Sequence, residues 1–227
     1  MSKRTVLAMT VLAVLTTFTA QEALAQRPGG GRPPIEFSTT YGSMWGGNIG
    51  GYYGKLRTGT GGSWGFALDV PIQPGMWLEA SYIRQDGSLD WDPKGAAKTT
   101  LSDVSVNVWQ LGTIRGFGRP GGAVMPYLQG SLGLTYFSPS ESTVVIDNES
   151  YAIDSITKFS MTFGAGFKAY FGQAQKIGLR GTFKVISTLY DAGGGIFFGP
   201  GGVDVGIAGS AIWQYEVAGG LTVKFGG

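Results

Sequence analysis

From Lys158 to Phe171 the chain alternates without a break. Phe159, Met161, Phe163, Ala165, Phe167, Ala169 and Phe171 occupy one parity; Lys158, Ser160, Thr162, Gly164, Gly166, Lys168 and Tyr170 occupy the other. Side chains of a β-strand point to opposite faces with period two, so this stretch is a strand with one wholly apolar face. Its register is fixed, because a slip by one residue would exchange lysines for phenylalanines on that face. The C-terminal segment repeats the pattern. Trp213, Tyr215, Val217, Gly219, Leu221, Val223 and Phe225 alternate with Ile212, Gln214, Glu216, Ala218, Gly220, Thr222 and Lys224. A strand this long, with aromatics at both ends of its apolar row and charges opposite, suits a bilayer crossing in which the apolar row meets lipid.

Six more strand-like segments bring the count to eight. The first covers about 35–45. The second, about 63–70, sets Trp64, Phe66, Leu68 and Val70 against Gly65, Ala67 and Asp69, and the third, about 76–85, sets Leu78, Ala80 and Tyr82 against Glu79 and Ser81. In the fourth, about 104–115, the apolar parity changes between Val104, Val106, Val108 and Trp109, Leu111, which predicts a β-bulge. The fifth, about 124–137, places Leu128, Leu132, Leu134 and Tyr136 opposite Gln129, Ser131 and Thr135. The seventh, about 177–190, places Ile177, Leu179, Phe183, Val185 and Leu189 opposite Arg180, Thr182 and Lys184.

Connections alternate between long and short, the short ones falling at Pro71–Gly75, Gly116–Gly122 and Gly172–Lys176. An antiparallel up-and-down transmembrane barrel of eight strands has this rhythm, with short turns and both chain ends on one side and long loops on the other. A soluble up-and-down barrel has the same strand number but lines its cavity with apolar side chains. Face polarity separates the two. Here the row of Gly, Ser, Thr, Lys and Glu can line a narrow interior, whereas the aromatic row would be an aggregation hazard in water.

Composition agrees. Forty glycines with 13 Phe, 10 Tyr and 6 Trp, and only 14% charged residues, are poor material for helices. No run of about 18 apolar residues follows the N-terminal region, which argues against helical spans. Lys3 and Arg4, an uncharged stretch from Thr5 to Gln21, and Ala23-Leu24-Ala25 read as an export signal cleaved after Ala25 rather than a retained anchor. Residues 26–34, rich in Pro and Gly, read as a flexible periplasmic tail, and 35–227 as the barrel domain. Loss of residues 1–25 leaves 15 basic and 14 acidic side chains, and the bases are scattered, so no basic patch for nucleic acid remains.

Taken together, Tyr41-Gly42-Ser43-Met44-Trp45-Gly46-Gly47, Tyr82-Ile83-Arg84-Gln85-Asp86, Pro126-Tyr127-Leu128-Gln129-Gly130-Ser131-Leu132-Gly133 and Ala211-Ile212-Trp213-Gln214-Tyr215-Glu216 resemble the opacity-protein-like small outer-membrane β-barrel family, which is similar to the transmembrane domain of outer membrane protein A. The resemblance spans about 35–225. It implies an eight-stranded barrel in the bacterial outer membrane, with periplasmic termini and outer-membrane lipid as its surroundings, and no single activity. It also implies that the last strand, through Tyr215, Val217, Leu221, Val223 and Phe225, is read by the barrel assembly machinery. In this chain the closing aromatic is followed by Gly226-Gly227.

The chain contains no histidine and no cysteine. This excludes a Ser-His-Asp triad, a Cys-His pair and His- or Cys-ligated metal sites, so no catalytic, cofactor or metal residues are expected. Asp86, Asp90 and Asp92 read as solvated loop charges; the alternative, a calcium site, needs several oxygen ligands at once. The informative charges are those whose parity turns them inward: Asp69 and Glu79, Lys168, Arg180 and Lys184, and Glu216. In a ring of eight, strands two and three face strands six and seven, so a cross-lumen ion-pair network is expected, with Glu79–Arg180 and Glu216–Lys184 as leading contacts. The expected function is a non-enzymatic outer-membrane protein with a filled lumen, serving envelope structure or contact with an unidentified surface ligand through its outer loops. The alternative is a narrow channel or lateral-diffusion transporter for small or hydrophobic solutes, for which Phe137, Ile153 and Ile186 could line an apolar hollow.

Overall fold

A computed structural model describes residues 34–50, 54–93, 97–118, 122–140, 143–146, 149–152, 154–172, 175–189, 193–199, 202–208 and 211–225. The expected signal peptide, the tail up to residue 33 and the final Gly-Gly lie outside these residues.

Period-two alternation becomes eight long strands: β1 (Ile35–Gly46), β2 (Gly61–Gln73), β3 (Met76–Pro93), β4 (Thr99–Gly116), β5 (Val124–Pro139), β6 (Ile156–Phe171), β7 (Ile177–Leu189) and β8 (Ala211–Phe225). Each pairs antiparallel with its sequence neighbours, and β8 pairs with β1, so the sheet closes. Register partners lead from Glu36 through Asp69, Glu79, Gly112, Ser131, Thr162, Ile186 and Gln214 back to β1 at Gly46, ten residues from the start. This offset is the shear of the barrel. With eight strands it implies a tilt of roughly 35–45° and an interior just wide enough for side chains to fill.

Ile35 pairs with Phe225, so both chain ends leave at one rim, which also carries the three short connections. At the tightest of these, Gly75 takes a left-handed φ of 72°, a conformation open to glycine but strained for other residues. The opposite rim carries the long connections. There β1 leaves the wall at Gly46 and Gly47, both with φ near +90°, and Thr58 Oγ1 donates to the Gly46 carbonyl at 2.7 Å.

At this loop rim, two expectations are corrected. The connection from Asp86 to Asp103 is largely a continuation of the β3–β4 ladder, which pairs out to Trp91 and Thr99 with one register shift between Leu89 and Asp90. Strand Gly54–Thr58 adds to the outer end of β3, and Asn48–Gly50 adds to that strand in turn. Asp90 is therefore not a solvated loop charge. It is buried, with Thr100 Oγ1 donating at 2.8 Å and Lys98 Nζ at 2.7 Å, while Asp92 pairs with Arg57 and Asp86 with Arg84. Each carboxylate of the trio has its own cation. Two further hairpins, Thr143–Ile146 with Glu149–Ala152 and Gly193–Gly199 with Gly202–Ala208, rise from the other long connections.

The bulge expected in β4 does not occur. Pairing to β3 and β5 runs through Val108 and Trp109 without a register shift. Val104, Val106 and Val108 point into the barrel and are buried, while Trp109 and Leu111 point out. The parity change reflects a change in the interior, which is apolar near the loop rim, and not a defect in the strand.

The outer wall is apolar around the ring. Phe163 on β6, Trp109 on β4, Leu132 on β5 and Leu221 on β8 are each more than half exposed. Rings Phe37, Phe66, Tyr82 and Trp109 form a ladder across four strands with centroids 4.4–6.4 Å apart. An apolar belt outside and buried charges inside invert the polarity of a soluble barrel.

Candidate functional site: the barrel lumen

All six charges assigned to the interior from parity lie there. Asp69, Glu79, Lys168, Arg180, Lys184 and Glu216 are each at most 3% exposed. Strand tilt decides which of them meet.

Nearest the turn rim, Lys168 Nζ donates to Glu36 Oε2 at 2.5 Å and to Asp69 Oδ2 at 2.7 Å. Tyr170 donates its hydroxyl proton to the Glu36 carboxylate, 2.8 Å from Oε1. Lys224 sits 3.3 Å above the centre of the Tyr170 ring and 3.8 Å from Glu36 Oε1. Arg180 is the second hub. Its Nη2 donates to Glu79, its Nη1 to Asp69 Oδ2 at 3.3 Å, and its Nε to the Tyr127 hydroxyl at 3.0 Å. Farther from that rim, Lys184 Nζ lies 3.6 Å from Glu216 Oε2, and Ser63 donates to Glu216 Oε1 at 3.0 Å.

The geometry joins both pairs expected from the sequence, Glu79 with Arg180 and Glu216 with Lys184. The second is formed between adjacent strands, since Lys184 and Glu216 are register partners. Parity reasoning did not include Glu36, Lys224, Tyr127 or Tyr170 in the network. Glu36 lies between the outward Ile35 and Phe37, which was the available signal, but Thr39 and Ser43 interrupt the apolar row of β1 and obscure its face.

With Glu36 and Lys224 included, four carboxylates face four cations: Glu36, Asp69, Glu79 and Glu216 against Lys168, Arg180, Lys184 and Lys224. Formal charge is balanced, as burial demands, because an uncompensated ion in this interior would cost several kcal/mol, on the order of 3–5.

Toward the loop rim the interior changes character. Met44, Ile83, Val106, Val108, Phe137, Ile186 and Ile212 form one buried cluster, with Ile156 packed against it. Gln214 donates to Gln85 at 3.1 Å beside it, and Gln85 in turn donates to the Met44 carbonyl at 3.0 Å. Phe137 and Ile186 are thus in an apolar layer, as considered for the hollow, whereas Ile153 lies outside the described residues. Among the described residues no three acidic side chains converge as a metal site would require.

Tyr215, Val217, Leu221, Val223 and Phe225 share the outward face of β8, next to the seam where that strand closes on β1.

The architecture has known counterparts. The fold is that of the small outer-membrane β-barrels of the opacity and outer membrane protein A type. The chain is similar to Neisserial surface protein A, with a TM-score of 0.52 and 13% identity over 86% of this chain and 99% of that one. It is also similar to outer membrane protein OprG of Pseudomonas aeruginosa, with a TM-score of 0.58 and 14% identity over 87% of this chain and 98% of that one. No protein-family model and no curated protein sequence matches the chain. At these identities the likeness is one of fold.

Proposed function

We propose that this protein is a non-enzymatic integral protein of the bacterial outer membrane whose barrel is a filled scaffold, with its activity in envelope structure or surface contact made by the loop-rim ribbons. The reading carries an orientation: turns and both termini in the periplasm, long connections outside. Its partners are outer-membrane lipid, the barrel assembly machinery during insertion, and a surface ligand of unspecified chemistry.

The observation that carries it is the charge-balanced network from Glu36 to Glu216, in which cations of β6, β7 and β8 meet carboxylates of β1, β2, β3 and β8 in the lumen. A wide aqueous pore leaves wall charges hydrated, whereas seven of these eight are 0–4% exposed and Lys224, at the turn rim, is 18% exposed. Planar-bilayer recording tests the reading. The expected result is no well-resolved wide conductance; a stable, wide open state overturns it.

A second reading, a narrow or lateral path for small apolar solutes, is favoured by one feature, the apolar cluster near the loop rim. Liposome uptake of a small apolar solute, compared with protein-free liposomes, separates the two.

A further inference from the structure

Between the ionic layer and the apolar cluster lies a third layer of the lumen, built of small and polar residues. Inward positions here include Gly42, Gly65, Gly112, Gly164, Ala218 and Gly220, and at Gly42, Gly65, Gly112 and Gly220 the atoms nearest an added Cβ belong to the adjacent strand, not to a side chain from across the barrel. This layer also holds five of the seven orphaned buried polar atoms found among the described residues. Ser131 Oγ, Thr162 Oγ1, Thr182 Oγ1, Gln110 Oε1 and Glu216 Oε2 lack a hydrogen-bond partner here, whereas Gln214 Oε1 lies beside the apolar cluster and Asp69 Oδ1 with the ionic layer. Ser131 and Thr162 are register partners and face the same space. Lys184 adds an ammonium whose nearest carboxylate oxygen is 3.6 Å away, beyond a good hydrogen bond.

Buried hydroxyls and amides are almost always satisfied by protein or ordered water, and a polar, roomy site offering several partners is where internal water is held. We propose that the middle of the lumen is an enclosed chamber for water, lined by Ser131, Thr162, Thr182, Lys184, Gln110 and Glu216, and that the apolar ring of Met44, Ile83, Val106, Val108, Ile186 and Ile212 above it is the barrier that closes it toward the loop rim. The ion pairs centred on Lys168 and Arg180 are the floor of this chamber. Apolar constrictions close pores by excluding water, a role distinct from that of the ion pairs below. The inference rests on the filled-lumen reading and locates its seal.

Two measurements test it. Thr162→Val and Thr182→Val are close in shape but remove the hydroxyl. If water satisfies these groups, both variants unfold at lower urea concentration than wild type; if the chamber is dry, removal of an unpaired hydroxyl raises the midpoint and the proposal fails. The second measurement uses the absence of native cysteine. Thr182→Cys is placed in detergent-solubilised protein and its modification by a small methanethiosulfonate reagent is timed. Modification is expected to be slow, to accelerate about tenfold or more when Val108→Ser and Ile186→Ser are added, as expected of a dewetted constriction, and to remain slow with Glu79→Gln. Acceleration by Glu79→Gln alone, or by neither change, refutes the apolar barrier while leaving the filled lumen intact. Fast modification of Thr182→Cys with no other change refutes the filled lumen itself.

Discussion

Lys168 and Asp69 meet inside the barrel at 2.7 Å although 99 residues separate them in sequence, and neither side chain has measurable exposure. The same Asp69 oxygen also receives Arg180, and the same Lys168 nitrogen also reaches Glu36. One carboxylate and one ammonium therefore couple β1, β2, β6 and β7 in a single contact set.

Lys168→Met is expected to destabilise the barrel by about 3–5 kcal/mol, because it removes the nearer cation from two buried carboxylates and leaves Asp69 only Arg180 at 3.3 Å and Glu36 only Lys224 at 3.8 Å. Adding Asp69→Asn should restore part of the loss, since the second change removes one of the stranded charges, and the two effects should be far from additive. Urea unfolding in lipid vesicles, followed by the gel mobility of unboiled protein, measures both. Additivity would mean that the two groups do not interact.

Lipid exposure of the aromatic face leads to a second expectation. Phe163 is 62% exposed near mid-length of β6, so Phe163→Arg places a cation in the middle of the apolar belt and should cost roughly 2–4 kcal/mol. Trp109→Arg, also on the belt, should be costly as well, whereas Arg84→Ala, which removes an exposed cation already paired with Asp86, should change stability little. Equal effects at Phe163 and Arg84 would contradict the membrane orientation of the wall.

Strand number, strand faces and the six inward charges were legible because lipid outside and ions inside make period two nearly unambiguous, most clearly on β6 and β8. Val104, Val106 and Val108 were harder. Their parity is inward like that of Gln110, but an apolar interior layer imitates a lipid face, so alternation alone suggested a bulge where none exists. Glu36 was obscured by the outward Thr39 and Ser43. The extension of β3 and β4 past Asp86 depends on Asp90 being buried by Lys98 and Thr100, a tertiary contact with no periodic signature. Sequence alternation reports which side a residue faces; it does not report what waits there.

Outward Gly181 on β7 illustrates a local packing device with a measurable consequence. Phe167 is its register partner, and its ring lies so close that a Cβ at Gly181 would be 2.5 Å from Phe167 Cε1. The aromatic ring covers the backbone that glycine leaves bare. Gly181→Ala is expected to displace the ring and cost about 1–3 kcal/mol. In a Phe167→Leu background the same change should cost less, and the difference in urea midpoints between the two backgrounds measures the contact.

The last strand allows assembly to be separated from stability. Phe225 is 57% exposed at the turn rim, pairs with Ile35 across the closing seam, and lies on the face of β8 opposite the lumenal charges. Its loss should therefore leave the folded barrel close to wild type in urea resistance when purified protein is refolded into vesicles. If the assembly machinery reads this side chain, Phe225→Ala should nevertheless lower the fraction of folded, gel-shifted protein in growing cells several-fold. The control is Leu221→Ala, a similarly exposed apolar position four residues earlier on the same face. A cellular defect that merely tracks the vesicle stability of both variants would assign Phe225 to lipid anchoring, whereas a defect confined to cells and larger at Phe225 would assign it to recognition.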